Sequence, residues 1–305
     1  MDRTIEDIGA KMNALGIWEK LLPYNFAVKP RGTVFPYFCT VLKGDRKPIK
    51  VRFLMLEGWQ TLHDFVQLLH DRNYGFYLSP AEMPHFELLV LEDGQITLFR
   101  HDMGYVPIRA DEAQRKLVAK ILWEAYGVMM RLENDGKLPL RYASDKAIFA
   151  RIENGDGTWN DGPLEVPNSR HHVEQVTFQK ADIKAAKDLP IIPDMVIDVD
   201  FRIAQNIITK EKRPRFVYRL LAIDDKTNST IIDSNVSMAH NSTLKELWES
   251  MPAQVLKCIV KGGKVPREIQ VMSGRVFRLL RPICMELPIK LSMHDTLKAL
   301  ETRFQ

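Results

Sequence analysis

The chain has 305 residues, of which 45% are apolar and 27% charged, and a formal net charge of +4. This is an ordinary globular balance, long enough for two domains with cores of their own. No window approaches the roughly 18 apolar residues of a membrane helix, and the acidic start, with Asp2, Glu6 and Asp7, lacks the apolar run of a secretory signal, so neither an anchor nor a leader is expected.

Residues 4–22 place Ile5, Ile8, Met12, Leu15, Trp18 and Leu22 at three- and four-residue steps, which predicts one face of a helix closed by Pro23. Two strands follow at residues 34–42 and 49–56, joined by a turn, and Gly58 breaks the second. A helix is expected from Thr61, with Thr61 as its N-cap, and residues 72–80 read as a loop or short strand. Residues 84–99 then alternate as strand, Glu92-Asp93-Gly94 turn and strand, which is a hairpin. A long helix over residues 111–132 turns Leu117, Ile121, Leu122, Ala125 and Val128 inward and closes a first unit.

The composition changes between residues 134 and 187. Asn154-Gly155-Asp156-Gly157, Asn160-Asp161-Gly162-Pro163 and Pro167-Asn168-Ser169 are turn-formers, so a linker is placed there, with strands expected at residues 147–152 and 173–178. Strands at residues 195–203, 215–223 and 230–236 open a second unit. A helix starts at Thr243 and stops at Gly262-Gly263, and residues 266–280 read as a second hairpin turning at Ser273-Gly274. A last helix spans about residues 293–303, with Leu297 and Leu300 inward.

The order strand, strand, helix, hairpin, helix thus occurs twice. Thr61-Leu62 matches Thr243-Leu244, Pro84 matches Pro266 at the same separation, Gly94 matches Gly274, and Pro107-Ile108 matches Pro288-Ile289. The expectation is an α+β protein of two similar units, each an antiparallel sheet covered by helices, arising by internal duplication. The domains are residues 1–133 and 191–305, with residues 134–190 as the turn-rich linker.

Several stretches carry a resemblance. They are Trp18-Glu19-Lys20-Leu21, Val28-Lys29-Pro30, the run from Tyr37 to Gly44, Met103-Gly104-Tyr105-Val106-Pro107-Ile108, Asp111-Glu112-Ala113, the spacing of Arg151, Trp159 and Pro167, Leu247-Trp248, the run from Pro266 to Val271, and the run from Leu279 to Ile289. In this order they resemble a bacterial two-domain family of unknown function. The resemblance implies the two-domain layout and brings no catalytic residue with it.

No reactive set emerges from the residues themselves. His63 and His70 are two helical turns apart, too far to share an ion. His171, His172 and Glu174 cluster in the turn-rich linker, where solvated loop residues are the simpler reading. His101 and Asp102 are adjacent on a strand and point to opposite faces, which argues against an acid/base pair. Asp198 and Asp200 share a strand face, and in an alternating strand that face is the solvent side. Lys261-Gly262-Gly263-Lys264 lacks the spacing of a phosphate loop and reads as a helix stop. Cys39, Cys258 and Cys284 lie far apart in apolar stretches, as buried reduced thiols of a cytoplasmic protein do.

One charge feature remains. Residues 191–305 hold 18 Lys and Arg against 13 Asp and Glu, where residues 1–150 hold 20 against 19. If Arg267 and Arg278 face each other across the second hairpin, they and Arg275 form a cationic surface, or merely an edge protected by charge. The residues therefore favour a cytoplasmic, non-enzymatic binding or protein-interaction module, with no cofactor and no metal. The alternatives are nucleic-acid binding through Arg267, Arg275 and Arg278, and a hydrolase or metal enzyme in the cleft between units using His171, His172 or Asp198.

Overall fold

A computed structural model of the chain describes every residue except 1–3, 16–25, 45–46, 71–81, 136–146, 168–175, 177, 240–241 and 305. The chain divides into two units: unit 1 is Met1–His70, Met83–Asp102 and Pro107–Arg170, and unit 2 is Asp71–Glu82, Met103–Val106 and His171–Gln305.

Unit 1 begins with α1 (Ile5–Leu15), where Ile5, Ile8 and Met12 are buried as their spacing predicts. The remainder of the expected helix, residues 16–22, lies outside the described residues, as does the stretch 72–80. Strands β1 (Phe26–Lys29), β2 (Tyr37–Lys43) and β3 (Ile49–Glu57) follow. Gly58, at φ +82°, turns the end of β3 directly into α2 (Gly58–His70). The helix therefore starts three residues earlier than expected. Thr61 is not its cap: the Thr61 hydroxyl donates to the Glu57 carbonyl at 2.7 Å, inside the first turn.

The first hairpin forms as read, from β4 (His85–Leu91) and β5 (Ile96–His101). Gly94 alone takes positive φ in its turn, and the Leu91 amide donates to the Gln95 carbonyl at 2.9 Å. After the short β6 (Ile108–Arg109), Asp111 caps α3 (Glu112–Asp135): its carboxylate accepts from the Gln114 amide at 2.8 Å, and Gln114 returns the bond at 3.0 Å. Strand β7 (Ala147–Glu153) was expected; β8 (Trp159–Glu165) runs through Asn160-Asp161-Gly162-Pro163, which had read as a turn. Pro163 is tolerated there because β8 is an edge strand.

These eight strands form one sheet in the order β6-β5-β4-β3-β2-β1-β7-β8. It is not purely antiparallel, since β7 returns from α3 to lie parallel beside β1. One face packs on α1 and α3 around Phe26, Phe53, Phe86 and Phe149. On the other, α2 packs against β2 and β3, with Trp59 4.7 Å from the ring of Phe38 on β2.

Unit 2 contains α4 (Lys180–Lys187), then the strands β9 (Ile191–Ile208), β10 (Phe216–Asp224) and β11 (Thr230–Ser237). Helix α5 (Leu244–Gly262) starts with a capping box between Thr243 and Glu246 and stops at Gly263, φ +68°. Strand β12 (Val265–Val271) comes next, and here the expected hairpin is overturned. The chain enters α6 (Gly274–Glu286), returns as β13 (Lys290–Met293) and ends in α7 (Lys298–Phe304).

The physical reason lies at Ser273. Its hydroxyl accepts from the Val276 amide as an N-cap, and Val276, Leu279, Leu280 and Ile283 bury one helical face. Ser273-Gly274 is therefore a helix start and not a hairpin tip, and the repeat that rested on two hairpins loses its strongest match. The five-stranded sheet, ordered β11-β10-β9-β12-β13, is mixed too: β12 is parallel to both β9 and β13. One face packs under α4, α5 and α6 around Phe201, Tyr218 and Trp248; Leu297 and Leu300 pack on the other against Leu221, Ile223 and Met272. No helix among the described residues is long and apolar enough to cross a membrane.

Candidate metal centre

The first hairpin brings together a set that no short motif announces. Its register pairs His85 with His101, Phe86 with Arg100 and Glu87 with Phe99. Phe86, Leu88 and Val90 are spent on the main core, so the alternation sends His85 and Glu87 to the opposite face. The row across that face runs Phe38, Leu56, His85, His101, from β2 to β5. All three polar residues are buried: His85 is 3% exposed, Glu87 6% and His101 2%.

The two imidazoles stack at 4.1 Å with 14° between their planes. His85 Nδ1 lies 2.9 Å from the Met83 carbonyl, so that nitrogen carries the hydrogen and Nε2 keeps its lone pair. His101 Nε2 lies 2.8 Å from Glu87 Oε2 and donates to it, which puts His101 Nδ1 on the ring edge away from Glu87. Neither His85 Nε2 nor His101 Nδ1 has a hydrogen-bond partner among the described residues. A buried acceptor left in this way costs about 1–3 kcal/mol.

Arg52 completes the set by donating from Nε to Glu87 Oε1 at 2.6 Å. Burial pushes the Glu87 carboxyl up, but the bond from His101 and the Arg52 charge outweigh it and bring it down to about 2. Burial pushes His85 the other way, and with the neighbouring His101 it takes the imidazole down to about 3 despite the Met83 bond. A neutral imidazole and an ionised carboxylate are the forms that bind metals.

One donor atom from each of His85, Glu87 and His101 can be chosen so that all lie within 4.8 Å of one another. Donors about 2.0–2.1 Å from one ion sit roughly 3.3 Å apart, so holding an ion here would require the stacked rings to turn and the His101–Glu87 hydrogen bond to open. Arg52 would then act from outside the ligand set, holding Oε1 of Glu87 and orienting Oε2.

The residues singled out in the sequence are placed differently. Arg267 is exposed on β12, while Arg275 and Arg278 are on α6, so the three do not share a hairpin face. Arg275 reaches Glu82 Oε2 at 3.3 Å and lies 4.4 Å over the Trp248 ring, and Tyr218 donates to the other Glu82 oxygen at 3.3 Å. Its charge is engaged within unit 2. His171, His172 and Glu174 lie outside the described residues. Asp198 and Asp200 are not on a solvent face; they are 1% and 0% exposed. Asp102 pairs with Arg100 and turns away from His101, as strand alternation requires. The three cysteines are free, and burial pushes the thiols of Cys39 and Cys258 up and that of Cys284 up to about 12.

The sequence did carry a signal for the cluster: a His-x-Glu step on one strand and a histidine at the mirrored position of the same hairpin. Reading His101 with its neighbour Asp102, and not across the turn, hid it. Neither a curated protein nor a solved structure matches the chain. Residues 182–305, all within unit 2 and therefore apart from this cluster, match a family described as a domain of unknown function, DUF6930.

Proposed function

We propose that this chain is a metal-binding protein whose unit 1 holds one divalent transition-metal ion between His85, Glu87 and His101. The observation that carries the reading is the pair of buried imidazole nitrogens, His85 Nε2 and His101 Nδ1, which have no hydrogen-bond partner among the described residues, beside an ionised carboxylate. A proton does not satisfy His85 near neutrality, because its surroundings hold it neutral. A soft-to-borderline cation would.

Two nitrogens and one oxygen suit zinc or ferrous, cobaltous and nickel ions; magnesium and calcium prefer all-oxygen sets. Three protein ligands leave a position for water, which in an open site supports hydrolysis. Here each donor residue is at most 6% exposed, which favours an enclosed ion that stabilises or reports over one that meets a substrate. The chain remains a binding module in this reading, with an ion as its ligand. A nucleic-acid role through Arg267, Arg275 and Arg278 has less support, because Glu82 and Trp248 occupy Arg275.

The test is to strip the purified protein with chelator, reload it with zinc or cobalt and measure retained metal after gel filtration. About one ion per chain is expected, with nitrogen-ligand bands in the cobalt spectrum. The double variant His85→Ala/His101→Ala should lose both. Equal metal content in the double variant, or none in the parent, would overturn the reading.

A further inference from the structure

The second face of the five-stranded sheet carries two aspartates with opposite treatment. Asp198 and Asp200 are two apart on β9, point to the same side and are both buried. Their partners on β10 are Ile223 and Leu221, and these are the residues on which Leu297 and Leu300 pack. Both aspartates therefore lie under the C-terminal helix α7.

Asp200 is fully served. Its Oδ1 accepts from the Phe201 amide at 2.8 Å and its Oδ2 from Arg202 Nε at 2.5 Å. Asp198 is not: neither of its oxygens has a hydrogen-bond partner among the described residues. Its cross-strand neighbour on β12 is Gln270, next to Ser292 on β13.

Among the described residues, the ion pairs of the surrounding elements are made elsewhere. On β9, Arg202 serves Asp200; between β10 and β11, Arg219 is paired with Asp233 at 2.8 Å. Between β12 and β13, Lys290 is 3.1 Å from Glu268, which also accepts from Ser292, itself 3.0 Å from His294. From α7 and the residues before it come Asp295, Lys298 and Arg303; Lys298 is exposed, and Arg303 donates to the Asn228 carbonyl at 3.3 Å. The remaining neighbour is an acid, Asp225 in the β10–β11 turn, whose amide donates to the Val196 carbonyl on β9 at 3.0 Å.

We propose that Asp198 is a proton-operated latch: with its proton on, α7 closes over the sheet, and with the proton off, the unpaired buried charge releases α7 as a flap. Burial, with Asp225 adding to it, pushes the Asp198 carboxyl up to about 7, against an ordinary value of 3.8. The closed form is thus fully favoured below the ordinary value. Its advantage is lost as pH rises from there to about 7, above which the balance stays level. These residues are distinct from those of the metal reading, and neither proposal depends on the other.

The test is hydrogen exchange at Lys298–Phe304 and at Asp198–Phe201, corrected for intrinsic rates, in the full chain from pH 5 to 8. In the parent, protection should fall by about tenfold per pH unit between pH 5 and 6.5 and level off above 7. Asp198→Asn should abolish that slope. Should Asp198→Asn fail to fold, Asp225→Asn, at an exposed turn position, serves instead and should move the levelling-off to lower pH. A parent protein with no pH dependence at α7, or a slope unchanged in the variant measured, would overturn the latch.

Discussion

Replacing His85 by phenylalanine should have opposite consequences with and without metal. The substitution keeps an aromatic ring against His101, removes the hydrogen bond to the Met83 carbonyl and removes the unpartnered Nε2. The lost bond leaves the buried Met83 carbonyl without its His85 donor at a cost of about 1–3 kcal/mol, and deleting the unpaired Nε2 returns about 1–3 kcal/mol. The metal-free variant is therefore expected to lie within about 2 kcal/mol of the parent. With metal the order reverses. At a free concentration one hundred times its dissociation constant, an ion adds about 2.7 kcal/mol to the parent and nothing to the variant. For a unit of this size that is a rise in melting temperature of roughly 5–10 °C. Tryptophan fluorescence is a suitable probe, since among the described residues Trp59, Trp123 and Trp159 belong to unit 1 and Trp248 to unit 2. The reasoning is refuted if the metal-free variant is less stable by more than about 2 kcal/mol, which would mean that Nε2 had a partner. It is refuted equally if metal raises both proteins by the same amount.

Two further outcomes follow from the geometry. Ser273→Ala should destabilise unit 2 by about 0.5–2 kcal/mol in denaturant unfolding, because the α6 amides lose their cap, whereas a hairpin tip would tolerate the change. For Glu87 the folded carboxyl is depressed from its ordinary value of 4.5 to about 2. Its contribution is present above 4.5 and lost as pH falls toward 2. The stability difference between the parent and Glu87→Gln should therefore shrink as acid is added; a difference constant from pH 6 to 2.5 would contradict the assigned charge.

Much of the strand order was legible, and the errors share a cause. Alternation located β2 through β5 and β9 through β11, because each has one face on a core. Ser273-Gly274 suits a turn and a helix start equally well. What decides between them is the three- and four-residue spacing from Val276 to Ile283. Asp198 and Asp200 looked solvated because nothing local reveals that Leu297 and Leu300, a hundred residues on, cover that face. The cluster of His85, Glu87 and His101 needed no distant information. With the hairpin already read, its register alone puts His101 opposite His85, and the strand period adds Glu87.

The parallel seam between β1 and β7 governs how this protein can be made. Ala27 and Val28, both fully buried, take Ala150 and Arg151 as neighbours, and ion pairs from Arg151 to Glu124 and from Lys120 to Glu153 clamp the late strand to α3. A nascent chain that has not yet delivered residue 147 therefore carries a raw, sticky margin along β1, open to strands of other chains. Fragments ending after α3 should clump on expression, and the ribosome must release both β7 and β8 before the sheet of unit 1 is sealed.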